Sequence, residues 1–531
     1  MERYAGLEEA AGRETEHDRS ATNTIVLGDM HLSDAEPPRN RHPLWKRFKQ
    51  PDLFVDPRFQ RLLAFLETRI DGSVELVLNG DTFDFDSVMA VPDDPGFPVS
   101  WLERRRGLNA EEAKSRFKIQ RILQDHPVFV EALSTFLANG HRVVFVIGNH
   151  DMELHWPSVQ RDIVRALDLP EEARRNVRFA DWFTVSNGDT LIEHGNQYDA
   201  YCLCQNPLFP LIRKGSRRFV RIPFGDLAGK YMTNGMGLFN PHVESSYILS
   251  VRGYFVFFFR YLVRIQPLLL WTWFWGATVT LLVSLMDGVR PAYKNPFHLH
   301  RRILQIAERS RTTPEVVMSL RELRVHPAIF NPVKILRELW LDRALLLGVV
   351  LFASFQVFSF LNVFGRFSIW WFWIPFLVLL PAFFFYARTV NSDVYRVQKE
   401  ALRRAPAVAR IAGVKRIVHG HTHRERHMTF RGVEVLNNGT WSPAFHDVEC
   451  TRPFGKTCFT WIRPAGGVAS GSGTHGSARE AGLFEWKDPG IDQIPKTDPD
   501  IRTRHLSVKN VMGRKRPGLL SWLRRRTRGP G

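Results

Sequence analysis

The chain has 531 residues, with 72 Lys or Arg against 54 Asp or Glu, a formal charge of +18 and a pI near 10.0. At roughly 150 residues per domain, this length allows about three units and excludes a single small module. Hydrophobic residues at 44% and charged residues at 24% exclude a fibrous or wholly disordered chain, while the basic excess asks for an anionic partner: nucleic acid, an anionic membrane surface or a phosphorylated substrate.

Residues 1–23 are polar, and the first apolar run, Thr24 to Leu27, is too short for the h-region of a signal peptide, so the domain that follows is expected to stay in the cytosol. Four cysteines, with Cys202 and Cys204 one residue apart, match neither a disulfide framework nor a CxxC site and fit a reducing compartment. From residue 24 to 204 short apolar runs alternate with amphipathic stretches. Strands are expected at Ile25-Val26-Leu27, at 74–78 and at 142–147, with helices at 58–69 and, as one long element, at 110–138. This alternation predicts a layered α/β or α+β core.

The segment 205–388 is Arg-rich and reads as an insertion holding three uncharged apolar stretches, 265–286, 344–365 and 367–387. Each reaches the roughly 20 residues a helix needs to cross a bilayer core. Pro267 and the indoles of Trp271, Trp273 and Trp275 also suit the first to an interfacial position. The core pattern resumes over 389–464, with a helix at 392–411 and strands at 416–418 and 433–436. Residues 465–531 turn to Gly, Ser, Pro and charge, the composition of a disordered basic tail.

Five short clusters stand at the ends of the expected strands: Gly28-Asp29-Met30-His31, Gly80-Asp81-Thr82-Phe83, Gly148-Asn149-His150-Asp151, Glu193-His194-Gly195 and Gly420-His421-Thr422-His423. Carboxylate, imidazole and amide oxygen are metal-ligand groups. Without thiolate they suit Mn, Fe or Zn in a reactive site better than a structural zinc site. Any one cluster alone is an ordinary turn. Five in order at strand ends form a constellation.

In this order the clusters resemble those of the calcineurin-like metallophosphoesterase superfamily, over roughly 24–199 and 414–441. The resemblance implies an α+β fold, a layered β-sandwich flanked by helices, here with the inserted helical region. It also implies two divalent metal ions, Mn2+ first, at the rim. Asp29, His31, Asp81 and His423 would hold one ion. Asp81, Asn149, His194 and His421 would hold the other, with Asp81 shared between them. His150 would protonate the leaving oxygen, and Asp151 would orient that imidazole or cap the loop. Asn438-Gly439-Thr440-Trp441 would be a structural closing turn. Within the superfamily, GDMHLSD and GDTFDFD are most similar to the branch containing UDP-2,3-diacylglucosamine hydrolase. That branch usually has Arg where this chain has His150 and an acid where it has Asn196. Asp84 and Asp86 are expected either to face substrate or to be solvated loop carboxylates.

The two late ligands, His421 and His423, lie beyond every apolar stretch yet must join the early ones, so the number of complete crossings between them is even. The expected arrangement is a hairpin of 344–365 and 367–387 turning at Arg366. Lys334, Arg337, Arg343 and Arg388 then lie on the near, cytoplasmic side, and 265–286 lies in the near leaflet. Basic charge concentrates in 205–264, 287–343 and 509–531, beside the apolar stretches, which favours an anionic membrane surface over nucleic acid as partner. The functional expectation is a membrane-anchored phosphoesterase acting on a phosphomonoester, phosphodiester or pyrophosphate. A nuclease or cyclic-nucleotide-type phosphodiesterase, or a non-catalytic membrane scaffold, are the alternatives.

Overall fold

The computed structural model describes residues 22–39, 41–237, 259, 268–290, 299–389, 397–465 and 479–497. The strands are β1 (Asn23–Leu27), β2 (Val74–Asn79), β3 (Arg142–Val146), β4 (Val177–Ala180), β5 (Phe183–Ser186), β6 (Thr190–Glu193), β7 (Leu211–Lys214), β8 (Arg217–Val220), β9 (Arg416–His419), β10 (Glu425–Phe430), β11 (Val433–Asn438), β12 (Cys458–Pro464), β13 (Arg479–Trp486) and β14 (Ile491–Ile494). The helices that carry the argument are α1 (Asp56–Arg69), α2 (Glu112–Asp125), α3 (Pro127–Ala138), α4 (Phe224–Ala228), α5 (Leu269–Val289), α6 (Leu299–Arg309), α7 (Pro314–Glu322), α8 (Leu341–Phe364), α9 (Trp370–Thr389) and α10 (Val397–Ala412).

One sheet has the order β14-β13-β12-β1-β2-β3-β4, the other β10-β11-β9-β6-β5, and β7-β8 is a separate hairpin. The period of two along each strand divides its apolar residues between two cores. Val26, Val77 and Val144 meet Ile192, Val418 and Leu436 between the sheets. Their neighbours Ile25, Leu76 and Phe145 point outward to α1, α2 and α3, and Leu191, Ile417 and Val435 point outward to α6, α7 and α10. The result is a four-layer α+β sandwich, the layered fold anticipated above. β1, β2 and β3 are mutually parallel, as are β6 and β9. Every ligand-bearing cluster leaves the carboxyl end of one of these five strands, so the fold gathers the five loops at one rim.

Two sequence expectations change. The single helix over 110–138 is two helices, because Pro127 lacks the amide a continuous helix needs and instead starts α3 at its first position. The tail expected from 465 onward is not wholly irregular. β13 and β14 extend the first sheet antiparallel from β12, in register Thr460↔Leu483 and Phe484↔Gln493, and bury Leu483, Phe484 and Trp486. Residues 466–478 and 498–531 lie outside the described residues. The insertion 205–388 packs on both sheets: Leu208 with the second, and Val220, Ile222, Leu227 and Tyr231 with the first.

Helix α5 lies with one side against this body. Val279 and Val283 pack on the first core, Ala277 and Trp273 on Tyr201 and Phe224, and Thr280 and Ser284 are fully buried. Gly276 allows the approach: a Cβ there would lie 2.7 Å from the Tyr231 carbonyl oxygen and 2.9 Å from the Met232 Cα. The opposite side leaves Trp271, Phe274, Trp275, Leu282 and Met286 exposed. α8 and α9 form a hairpin, and Tyr386 near the end of α9 donates from Oη to Asp342 Oδ2 at 2.7 Å, at the start of α8. The hairpin's apolar side chains, among them Phe352, Phe360, Trp370 and Leu377, face outward. α5 and α8 are long and apolar enough to cross a membrane, and α9 contains Pro375 and Pro381.

Candidate metal centre

The loops are zipped to one another by their backbones before any side chain is considered. Asp29 N donates to Gly80 O at 3.0 Å, His31 N to Asp81 O at 2.9 Å, and Gly420 N to His194 O at 2.9 Å. Two of the glycines are needed for contact distance. A Cβ at Gly148 would collide with the Asp81 carboxylate, and one at Gly420 would lie 2.6 Å from Asp29 Oδ2.

Five expected ligands occupy the left-handed backbone region without being glycine: Asp29 (φ 55°), His31 (52°), Asp81 (51°), His421 (66°) and His423 (51°). Each such residue costs about 1–3 kcal/mol and persists only where the surroundings impose it. Here the strain aims the side chains inward, toward one another.

They converge as two groups. Asp29, His31 and His423 offer donor atoms within 4.8 Å of one another, as do Asp81, His194 and His421. In the first group His31 Nε2 is 3.2 Å from His423 Nε2, which is 3.2 Å from Asp29 Oδ1. In the second, Asp81 Oδ2 lies 3.1 Å from His194 Nε2. The same oxygen is 3.9 Å from His31 Nε2, so Asp81 stands between the groups. Asn149 Oδ1 is 3.2 Å from His194 Nε2 and completes the second set.

All seven expected ligands therefore come together, and the donor set fits two hard or borderline divalent ions. The surroundings fix the tautomers as a metal requires. His194 Nδ1 donates to the Asn79 carbonyl at 3.0 Å, leaving Nε2 its lone pair. His421 Nε2 is 3.1 Å from Asp199 Oδ2. Thr440 Oγ1 and Trp441 N donate to the Asp29 carbonyl, so the 438–441 turn is a brace, as expected.

His150 sits beside these groups, partly exposed, with Nδ1 3.3 Å from Asp84 Oδ1 and Nε2 3.3 Å from Asp226 Oδ1. Burial alone would lower its pKa, but Asp226, Asp84 and Asp81 outweigh it and hold His150 well above the ordinary histidine value. Burial pushes Asp226 itself up to about 6, opposed by His150. Burial would also raise Asp81, yet His194, His150 and His31 hold it well below the usual carboxylate range.

One expectation is decided between its alternatives and another is corrected. Of the two roles open to Asp151, its hydrogen bonds fit the loop cap and not the orientation of His150: its oxygens accept from Gly148 N at 2.6 Å and Thr82 N at 2.9 Å, bracing the second and third loops. Asp84 and Asp86 are not solvated, being 1% and 4% exposed. Sequence reasoning missed Asp226 and Asp199. The one available signal for Asp226 was its dipeptide, Gly225-Asp226, which repeats Gly28-Asp29 and Gly80-Asp81.

Residues 22–220, which carry four of the five ligand-bearing loops, match the family described as calcineurin-like phosphoesterase. The fifth loop, 420–423, lies beyond the matched span. Neither a search of curated proteins nor one of solved structures produced a match.

Proposed function

We propose that the chain is a membrane-anchored, metal-dependent phosphoester hydrolase whose reaction is carried out at the rim formed by the five loops. The observation that carries this reading is the position of Asp81, one carboxylate within reach of both imidazole groups. Two cations held 3.5–4 Å apart need such a shared anion between them.

Asp29, His31, Asp81 and His423 would hold one ion, and Asp81, Asn149, His194 and His421 the other. Two divalent cations bound there, Mn2+ first, would supply charge neutralisation at the phosphoryl group and a more acidic water. The remaining work falls to the chain. His150, held through its two ring nitrogens by Asp84 and Asp226, is the imidazole beside the site that would donate a proton to the leaving oxygen. Asp151 keeps the Asp81 and Asn149 loops in register.

Membrane attachment is supported by the exposed apolar hairpin of α8 and α9 and by the indoles of Trp271 and Trp275 on the free side of α5. The need to bring His421 and His423 back to Asp29 supports a hairpin entering from the face that bears the catalytic body, taken as cytoplasmic. α5 lies along that face. A site tethered there favours phosphate esters presented at a bilayer surface, including lipid-linked ones.

The test is hydrolysis of an aryl phosphate and a bis-aryl phosphodiester by the purified full chain with Mn2+. Asp81→Ala and His194→Ala are expected to abolish turnover while the circular dichroism spectrum is retained. Turnover that survives both substitutions would refute the assignment.

A further inference from the structure

Asp226 is a carboxylate 1% exposed, and among the described residues neither Lys nor Arg forms an ion pair with it. Burying a carboxylate so is expensive unless its partners need it there. Both of its partners belong to the candidate site. Oδ1 accepts from Asn149 Nδ2 at 2.9 Å and stands 3.3 Å from His150 Nε2.

The first contact decides which way the Asn149 amide points. With Nδ2 donating to Asp226, Oδ1 is turned toward His194, the orientation in which an amide can ligate a cation. The second contact places a negative charge behind the His150 ring.

Asp226 does not come from any of the five loops. It is carried by α4, at the start of a strap that runs on to Gly237. The strap is stitched to the catalytic body by Lys230 Nζ donating to Leu108 O at 2.6 Å and by Asn234 Nδ2 donating to Asp86 O at 2.7 Å. On its other side Tyr231 and Met232 are pressed against Gly276 of α5.

We propose that Asp226 is a positioning residue, supplied to the metal centre by the inserted region, that fixes the Asn149 amide for the second cation and holds the His150 ring beside it. This rests on the phosphoesterase reading for its His150 half and on the donor set alone for its Asn149 half.

Two substitutions separate the halves. Asp226→Asn keeps an oxygen that can accept from Asn149 but removes the charge facing His150. Asp226→Ala removes both. The measurements are Mn2+ binding to the full chain by calorimetry, without substrate, and kcat and KM on an aryl and an alkyl phosphate. Alkyl leaving groups depend on protonation far more than aryl ones do.

In Asp226→Ala, one of two Mn2+ sites is expected to weaken by about 10–100-fold, the range for loss of a ligand-orienting partner, with the other unchanged. In Asp226→Asn both sites should bind within a few-fold of wild type. Its kcat on the alkyl phosphate should drop about tenfold or more, KM should hold, and the aryl phosphate should be affected less. Wild-type Mn2+ binding by Asp226→Ala overturns the Asn149 half. An equal or absent loss on the two substrates in Asp226→Asn overturns the His150 half, and this variant decides the matter if the alanine variant does not fold. A wild-type chain that binds two Mn2+ but hydrolyses neither ester would overturn the phosphoesterase reading, and with it the His150 half, while calorimetry still judges the Asn149 half.

Discussion

Gly420 lies so close to Asp29 that a methyl group on it would sit 2.6 Å from the carboxylate oxygen Oδ2. Its backbone φ is not in the left-handed region, so alanine is excluded there by the neighbour and not by conformation. Gly420→Ala is therefore expected to displace Asp29 and the His421–His423 loop together. Overpacking of this kind costs about 1–3 kcal/mol. Activity should fall by more than stability does, which paired thermal melts and rate measurements on the full chain would show.

Cation binding should also stabilise the fold. Asp29, His31, Asp81, His421 and His423 hold left-handed backbones so that their carboxylate and imidazole groups crowd toward one another. A ligand that binds only the folded state adds about 2.7 kcal/mol at 100 times its Kd. Chelator-treated protein is expected to melt several degrees lower than protein with saturating Mn2+. In the double variant Asp81→Ala, His194→Ala that difference should largely disappear.

Away from the centre, Glu103 gives a pH test. It serves the Ser100 capping box and accepts from Lys114 Nζ at 2.6 Å. Burial would raise its pKa, but Lys114, Ser100 and Asn109 pull it down to about 2 from 4.5. A depressed carboxylate contributes stability that is present above its unfolded value and lost as pH falls toward the folded one. The gap in melting temperature between wild type and Glu103→Gln should thus be widest at neutral pH and should close between about pH 4.5 and 2. A constant gap across that range would refute the ion-pair account.

The hairpin makes a topological prediction. If α8 and α9 cross and return, reporter fusions after Asp287 and after Val390 should both report the cytosolic side. Opposite sides for the two fusions would break the hairpin arrangement; the even number of crossings that lets His421 and His423 reach Asp29 would then need α5 to cross as well.

Most of the candidate site was legible as a cluster because its chemistry is local. A strand run, a glycine and a metal-type side chain follow one another within four residues, as in Gly28-Asp29-Met30-His31, and the parallel order of β1, β2 and β3 brings the loops to one rim. For Asp151 the same locality left two roles open, orienting the adjacent His150 or capping the loop, and the second fits: its carboxylate turns to the Thr82 and Gly148 amides. Asp226 was illegible because its partner Asn149 is 77 residues away and its own segment reads as an Arg-rich insertion. β13 was hidden by the Gly- and Ser-rich run that precedes it. Its pairing with β12, which joins Trp461 to Gly482, is set by tertiary register and not by composition.

At Gly276 no side chain lies between α5 and the Tyr231–Met232 backbone, and Tyr231 is only five residues from Asp226. At 1.5 Å per residue that is about 7.5 Å of largely helical chain. Whatever packs on the exposed Trp271 and Trp275 of α5 therefore stands only a short run of direct contacts, through Gly276, the Tyr231–Met232 backbone and Asp226, from the Asn149 amide.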